Sequence, residues 1–137
     1  MTAKEYLRQY KDAERDVQNL RAEYLEQMEQ IDNIRSALGG DGLPRSGEVS
    51  KKVEADAVRL AEKAEELVQA EVLAVEIRQE IVRTINKIPG SLADILRERY
   101  INLQLWEDVA DCVGYSLRRT FELHREGLAA VDKIINA

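Results

Sequence analysis

At 137 residues, 45% apolar but only 5% aromatic and 34% charged, the chain has room for one ordinary domain or a small module with an extended arm, and not for two large cores. That mix suits long, solvent-flanked helices better than a compact sheet protein, and a net charge of −6 excludes a broadly basic nucleic-acid coat. The single Cys112 excludes an internal disulfide, no apolar run approaches the ~20 residues of a membrane span, and MTAKEYLRQYKD lacks a signal-peptide core; a cytoplasmic all-α protein with no membrane partner is expected.

Thr2 and Glu5 have the spacing of a capping box, in which each side chain accepts the other's backbone N–H. From there Tyr6, Tyr10, Ala13, Val17, Leu20, Tyr24, Gln27, Ile31, Ile34 and Leu38 alternate four- and three-residue steps, which predicts one long helix. GGDGLPRSG interrupts it, and a Gly-rich turn is expected at 39–49. A second helix starting near Ser50 repeats the pattern through Val53, Ala57, Leu60, Ala64, Leu67, Glu71, Ala74, Arg78, Ile81, Ile85 and Ile88, and should end at Pro89–Gly90. Each helix would be about 55 Å long. The expected fold over residues 1–88 is therefore an antiparallel, coiled-coil-like helical hairpin, weakened where Gln27, Glu71 and Arg78 interrupt the seam. Val68, Val72, Val75, Ile77 and Val82 widen the second helix's apolar stripe beyond what one partner can cover. Further helices must pack there, from the C-terminal part or from a second copy in a homodimer.

Residues 89–137 form the second expected domain, with its first helix starting at the Ser91 to Asp94 cap signal. After it, Trp106, Val109 and Val113 sit on one inward face, Ala110 stands where two helices approach closely, and Gly114 supplies a turn that tolerates positive φ. Ser116 has the position of an N-cap for the next helix. In that helix Leu117, Thr120 or Phe121, Leu123 and Leu128 keep an apolar rhythm near 3.6 residues, leaving Arg118, Arg119, Glu122 and Arg125 outward. This is a helix-turn-helix pattern with an arginine-led first turn, as a groove-reading helix requires. Cys112 reads as a buried packing residue. His124 has no ligand partner at metal spacing, so a packing or surface role is expected for it. The AAVDKIINA tail should extend the last helix or pack back on the hairpin.

The run LRERY, WEDVA, VGYS, RR and LHREGL resembles region four of bacterial sigma factors, closest to the small phage-type sigma-like transcriptional regulators. The resemblance covers about 40 residues; over residues 1–88 it rests only on a long helical pair preceding the module. It implies double-stranded DNA as a partner, with Ser116, Leu117, Arg118, Arg119, Glu122 and Arg125 on the DNA-facing 116–126 helix and RNA polymerase as the protein partner. It also implies a small core of Leu96, Tyr100, Trp106, Val109, Ala110, Val113, Phe121 and Leu128. Gly127 departs from the alanine usual there, and a looser or bent helix is expected at that point.

From residue 89 onward six Lys or Arg face eight Asp or Glu, so DNA binding by the module alone should be weak. Carboxylates are plentiful, but no nucleophile, base or glycine-rich phosphate loop accompanies them. No enzyme activity, catalytic residue, cofactor or metal is expected. Two other classes fit the same elements. Phage small terminase subunits, the DNA-packaging adaptors, also join a helix-turn-helix to oligomerising helices, and a purely structural coiled-coil interaction protein without DNA binding would tolerate the acidic balance.

Overall fold

A computed structural model describes residues 1–39 and 47–137; the turn expected at 39–49 falls largely outside the described residues. The described residues are all-helical. Two long helices, α1 (Ala3–Gly39) and α2 (Gly47–Ile85), pack against each other as a hairpin and are followed by α3 (Gly90–Leu96), a π-helical turn (Arg97–Ile101), α4 (Trp106–Val113) and α5 (Leu117–Ile135). Among the described residues no helix is long and apolar enough to cross a membrane.

The N-terminus starts as its sequence dictates. The Thr2 N–H donates to Glu5 Oε2 and the Glu5 N–H donates to Thr2 Oγ1, each at 3.2 Å, so two N–H groups at the start of α1 are satisfied reciprocally. The helices divide into two compact units, residues 15–72 and residues 1–14 with 73–137.

In the 15–72 unit, Val17 and Ile31 are buried and Leu20, Tyr24, Gln27 and Ile34 half-buried, so α1 faces α2 along the expected seam. On α2, Val53, Leu60, Ala64, Leu67 and Glu71 are half-buried, but Ala57 is exposed. The face is rotated by about one residue, bringing Asp56, Lys63 and Ala70 half inside. An ion pair accompanies that rotation: Lys63 Nζ lies 2.9 Å from Glu23 Oε2 across the hairpin, and the pairing holds the ammonium's pKa above its ordinary value. Arg21 Nη2 reaches Glu71 Oε1 at 3.0 Å, which explains how a carboxylate stands in the apolar seam. Both pairs are solvent-exposed and screened, so they add little to stability. Val58, Val68 and Val72 remain more than half exposed.

The other unit holds the larger core. Ala3, Tyr6, Leu7, Ile81, Ile85, Ile88, Ala93, Leu96, Tyr100, Ile101 and Val131 form one buried cluster. Its polar atoms are matched: Tyr6 Oη and Thr84 Oγ1 share a buried hydrogen bond of 2.8 Å. Ile77 and Val82 of the wide apolar stripe pack against this cluster, as do Ala130, Ile134 and Ile135 of the tail, so the C-terminal residues both extend α5 and pack back. Val75 stays exposed, as does Arg78 of the predicted seam.

Helix α2 ends three residues earlier than its apolar spacing predicts. The last turn tightens through Lys87 N to Thr84 O at 3.2 Å and Ile88 N to Ile85 O at 3.0 Å, because the ring of Pro89 disfavours helical geometry in the residue before it. Ile88 is nonetheless buried. Nor do Ser91 to Asp94 provide a cap. Pro89, in extended conformation, precedes α3 and its carbonyl accepts from Leu92 and Ala93 at 3.1 and 3.2 Å.

Candidate nucleic-acid interface

Helix α4 ends where the chain needs a left-handed residue. Gly114 has φ 77° and ψ 24°, and the N–H groups of Gly114 and Tyr115 both donate to the Ala110 carbonyl, at 2.9 and 3.2 Å. A Cβ at position 114 would meet nothing within 4 Å, so glycine is required there by conformation and not by space. Two residues later Ser116 is extended and caps α5: its Oγ accepts the Arg119 N–H at 3.1 Å. The Thr120 hydroxyl donates back to the Ser116 carbonyl at 2.9 Å, closing the first turn from inside.

That turn fixes what α5 shows to solvent. Ser116, Leu117, Arg118, Arg119 and Arg125 are exposed and Glu122 is half-exposed, with Arg118, Glu122 and Arg125 following one another at helical steps. The Arg118 side chain is 93% exposed. Glu122 is shared by both arginines: its Oε1 lies 3.7 Å from Arg118 Nε and its Oε2 lies 3.1 Å from Arg119 Nη1. Glu122 therefore pairs along its own helix, with Arg118 and Arg119.

The inward face of α5 differs in detail from the expected core. Thr120 is fully buried, whereas Phe121 is 36% exposed and rests edge-on against Trp106, ring centres 5.1 Å apart. The resemblance had put Phe121 inside; the hydroxyl bond to Ser116 lets the smaller Thr120 take that position. Leu96, Tyr100, Val109 and Ala110 are buried as expected, with Trp106, Val113 and Leu128 half-buried. Ile95, Val109 and Leu123 form the small cluster that locks α3, α4 and α5 together. Cys112, expected inside, is exposed. At Gly127 α5 is not interrupted and runs on to Ile135; a Cβ there would stand 3.3 Å from Leu96 Cγ and Cδ1, so glycine permits the close approach of α5 to α3.

Of the packing and surface roles expected for His124, the structure shows packing. Its ring is buried, shares a 2.7 Å hydrogen bond through Nε2 with the Tyr100 hydroxyl, and stacks on Tyr100 with centres 5.7 Å apart. Its place in the row Thr120, Leu123, His124, Gly127, Val131, all inward at helical spacing, was the available signal. Burial, reinforced by the positive charges of Lys4 and Arg99, lowers its pKa to about 4, while burial raises that of Tyr100. A histidine whose folded pKa lies below its unfolded value of about 6.5 is carried neutral, so its contribution to stability is intact above pH 6.5 and is lost as pH falls towards 4. Over that window the loss should approach about 3 kcal/mol. Thermal unfolding from pH 7 to pH 4 should show the decline in wild type and a smaller one in His124→Gln; equal declines would remove His124 as its source.

Comparison of the chain with protein-family models, with curated proteins and with solved structures returned no match. Among the described residues no group of three or more His, Cys, Asp or Glu side chains is placed to hold a metal ion.

Proposed function

We propose that the protein is a DNA-binding transcriptional regulator of the phage-type sigma-like kind, in which α5 reads a promoter element and RNA polymerase is the second partner. The observation that carries this reading is the turn itself: a left-handed Gly114 followed by a Ser116-capped helix whose exposed first turn is Leu117, Arg118 and Arg119. A helix so capped can enter a major groove by its N-terminal end, where arginine recognises guanine edges or phosphates. The ion pairs to Glu122 restrain both arginines at little energetic cost, because exposed pairs are worth under about 1 kcal/mol and a DNA phosphate or base edge can replace them.

Three arginine contacts, from Arg118, Arg119 and Arg125, would give log Kd against log salt a slope of about 2.7, an affinity loss of about 40-fold between 50 and 200 mM. Fluorescence anisotropy across that range tests the reading; absence of duplex binding at 50 mM salt would overturn autonomous recognition. Affinity this modest calls for a second anchor. The exposed valines of α2, Val58, Val68 and Val72, give the hairpin apolar area for a protein contact, with polymerase or with a second copy.

The shared Glu122 favours one other reading, a structural helical protein whose arginines serve only their own helix. It predicts no retention on DNA at any salt concentration.

A further inference from the structure

We propose that the pocket lined by Arg8, Lys11, Arg99, Tyr100 and Leu103 binds a phosphate group. Three of its five lining residues are cationic and none is a carboxylate. Arg8 and Lys11 stand three apart on α1, which brings them to one face, and neither has an ion pair among the described residues. Arg99 is already oriented. Its Nη1 donates to the Gln104 carbonyl at 2.9 Å and its guanidinium lies 4.6 Å from the centre of the Trp106 ring, so little side-chain freedom is lost on binding. The cavity measures about 50 Å³, room for a few waters or one tetrahedral anion and not for a whole nucleotide.

The backbone around this pocket departs from a regular α-helix at two neighbouring points. Arg99 and Tyr100 lie in the π-helical turn, where the Asn102 N–H reaches back to the Arg97 carbonyl at 2.9 Å. Leu103 holds φ 54°, the sole positive-φ non-glycine among the described residues. The π turn places Arg99 and Tyr100, and the left-handed Leu103 that ends it, with the Gln104 N–H returning to the Glu98 carbonyl at 3.0 Å, completes the lining of the same cavity. The field of the cations also extends inward, because Arg8 and Arg99 act on Tyr100, and Arg99 with Lys4 on His124.

Arg99 touches Trp106, and Trp106 touches Phe121 on α5, so the rim of the pocket is two contacts from the proposed DNA-facing helix. The phosphate can therefore come from a duplex backbone lying along α5, a source that rests on the DNA-binding reading, or from a free phosphate-bearing molecule, which does not. Sequence reasoning missed the site because its cations lie about 90 residues apart in the chain and only folding brings them together.

The test uses the full chain in two arms, with the variant Arg8→Gln plus Lys11→Gln, both exposed positions, and with Lys51→Gln plus Lys52→Gln as a control outside the pocket. In the first arm inorganic phosphate is titrated against chloride at matched ionic strength while the amide resonances of Arg99, Tyr100 and Leu103 are followed. Saturable shifts in wild type and control, about tenfold weaker in the pocket variant, are expected. In the second, duplex affinity is measured against salt. Loss of one backbone phosphate lowers the slope by about 0.9, so the variant should lose about threefold less affinity than wild type between 50 and 200 mM. Phosphate shifts with an unchanged slope, or with no duplex binding by any protein, would assign the pocket to a free phosphate-bearing ligand; the latter result would also end the DNA reading while leaving the site standing. Equal phosphate responses in wild type and pocket variant, or none in either, would overturn the proposal.

Discussion

Replacing Arg118 and Arg119 together by alanine should lower duplex affinity about 100-fold while leaving the helical circular dichroism unchanged. Both side chains are exposed and neither supports the fold: their recorded partner is Glu122, itself at the surface. Each arginine contact to a base edge or phosphate is worth roughly 1–3 kcal/mol, and separating each from Glu122 returns less than about 1 kcal/mol, so the DNA contact dominates the difference. Fluorescence anisotropy with a bound duplex measures the effect. A loss below about threefold, with helicity intact, would remove the start of α5 from the interface. The companion Glu122→Gln change separates two roles. If Glu122 only restrains the arginines, affinity should rise modestly for all sequences, by removal of a negative charge; if it reads a cytosine amino group, preference at one base should relax.

Leu96→Ala should destabilise the unit of residues 1–14 and 73–137 by about 3–5 kcal/mol, the upper part of the range for buried leucine. Leu96 is fully buried, and its Cγ and both Cδ atoms lie where a side chain at position 127 would project. With glycine opposite, position 127 has no side chain to move into the space that truncation leaves. The same contact gives a coupled prediction. Gly127→Ala alone combines a helix-propensity gain of about 1 kcal/mol with a crowded 3.3 Å approach to an immobile neighbour, and the two largely offset. In the Leu96→Ala background the crowding is gone and the gain of about 1 kcal/mol should appear in full. A urea-unfolding double-mutant cycle measures this; additive effects would show that the two positions do not press on each other.

The long helices were legible because their seam repeats over many turns, and the capping box at Thr2 and Glu5 and the cap at Ser116 are local hydrogen-bond patterns that the sequence carries whole. What periodicity could not resolve was rotation about the helix axis. A seam of small and polar residues on α2, with Ala57, Ala64 and Glu71, leaves neighbouring faces nearly equal in apolarity, and the cross-hairpin pair of Lys63 with Glu23 accompanies the other choice. The end of α2 at Ile85 and not Ile88 reflects a backbone clash at Pro89, against apolar spacing that continues past it. At the candidate interface, Gly114 was readable from the φ its turn requires, while the contact that Gly127 makes with Leu96, 31 positions away in sequence, leaves no local signal. Thr120 displaced Phe121 from the interior for a comparable reason: its hydroxyl finds a backbone acceptor in the first turn, so a polar residue is buried without an unmatched group. Likewise the Tyr100–His124 bond joins two residues whose separate contexts give no hint of each other.

The most direct test of the central claim is selection of genomic duplex fragments by the purified protein at 50 mM salt, run beside the Arg118→Ala, Arg119→Ala variant. Enrichment of a common sequence by the wild type and not by the variant is the predicted result. Enrichment of nothing by the wild type, or of the same fragments by both proteins, would contradict recognition of DNA by α5.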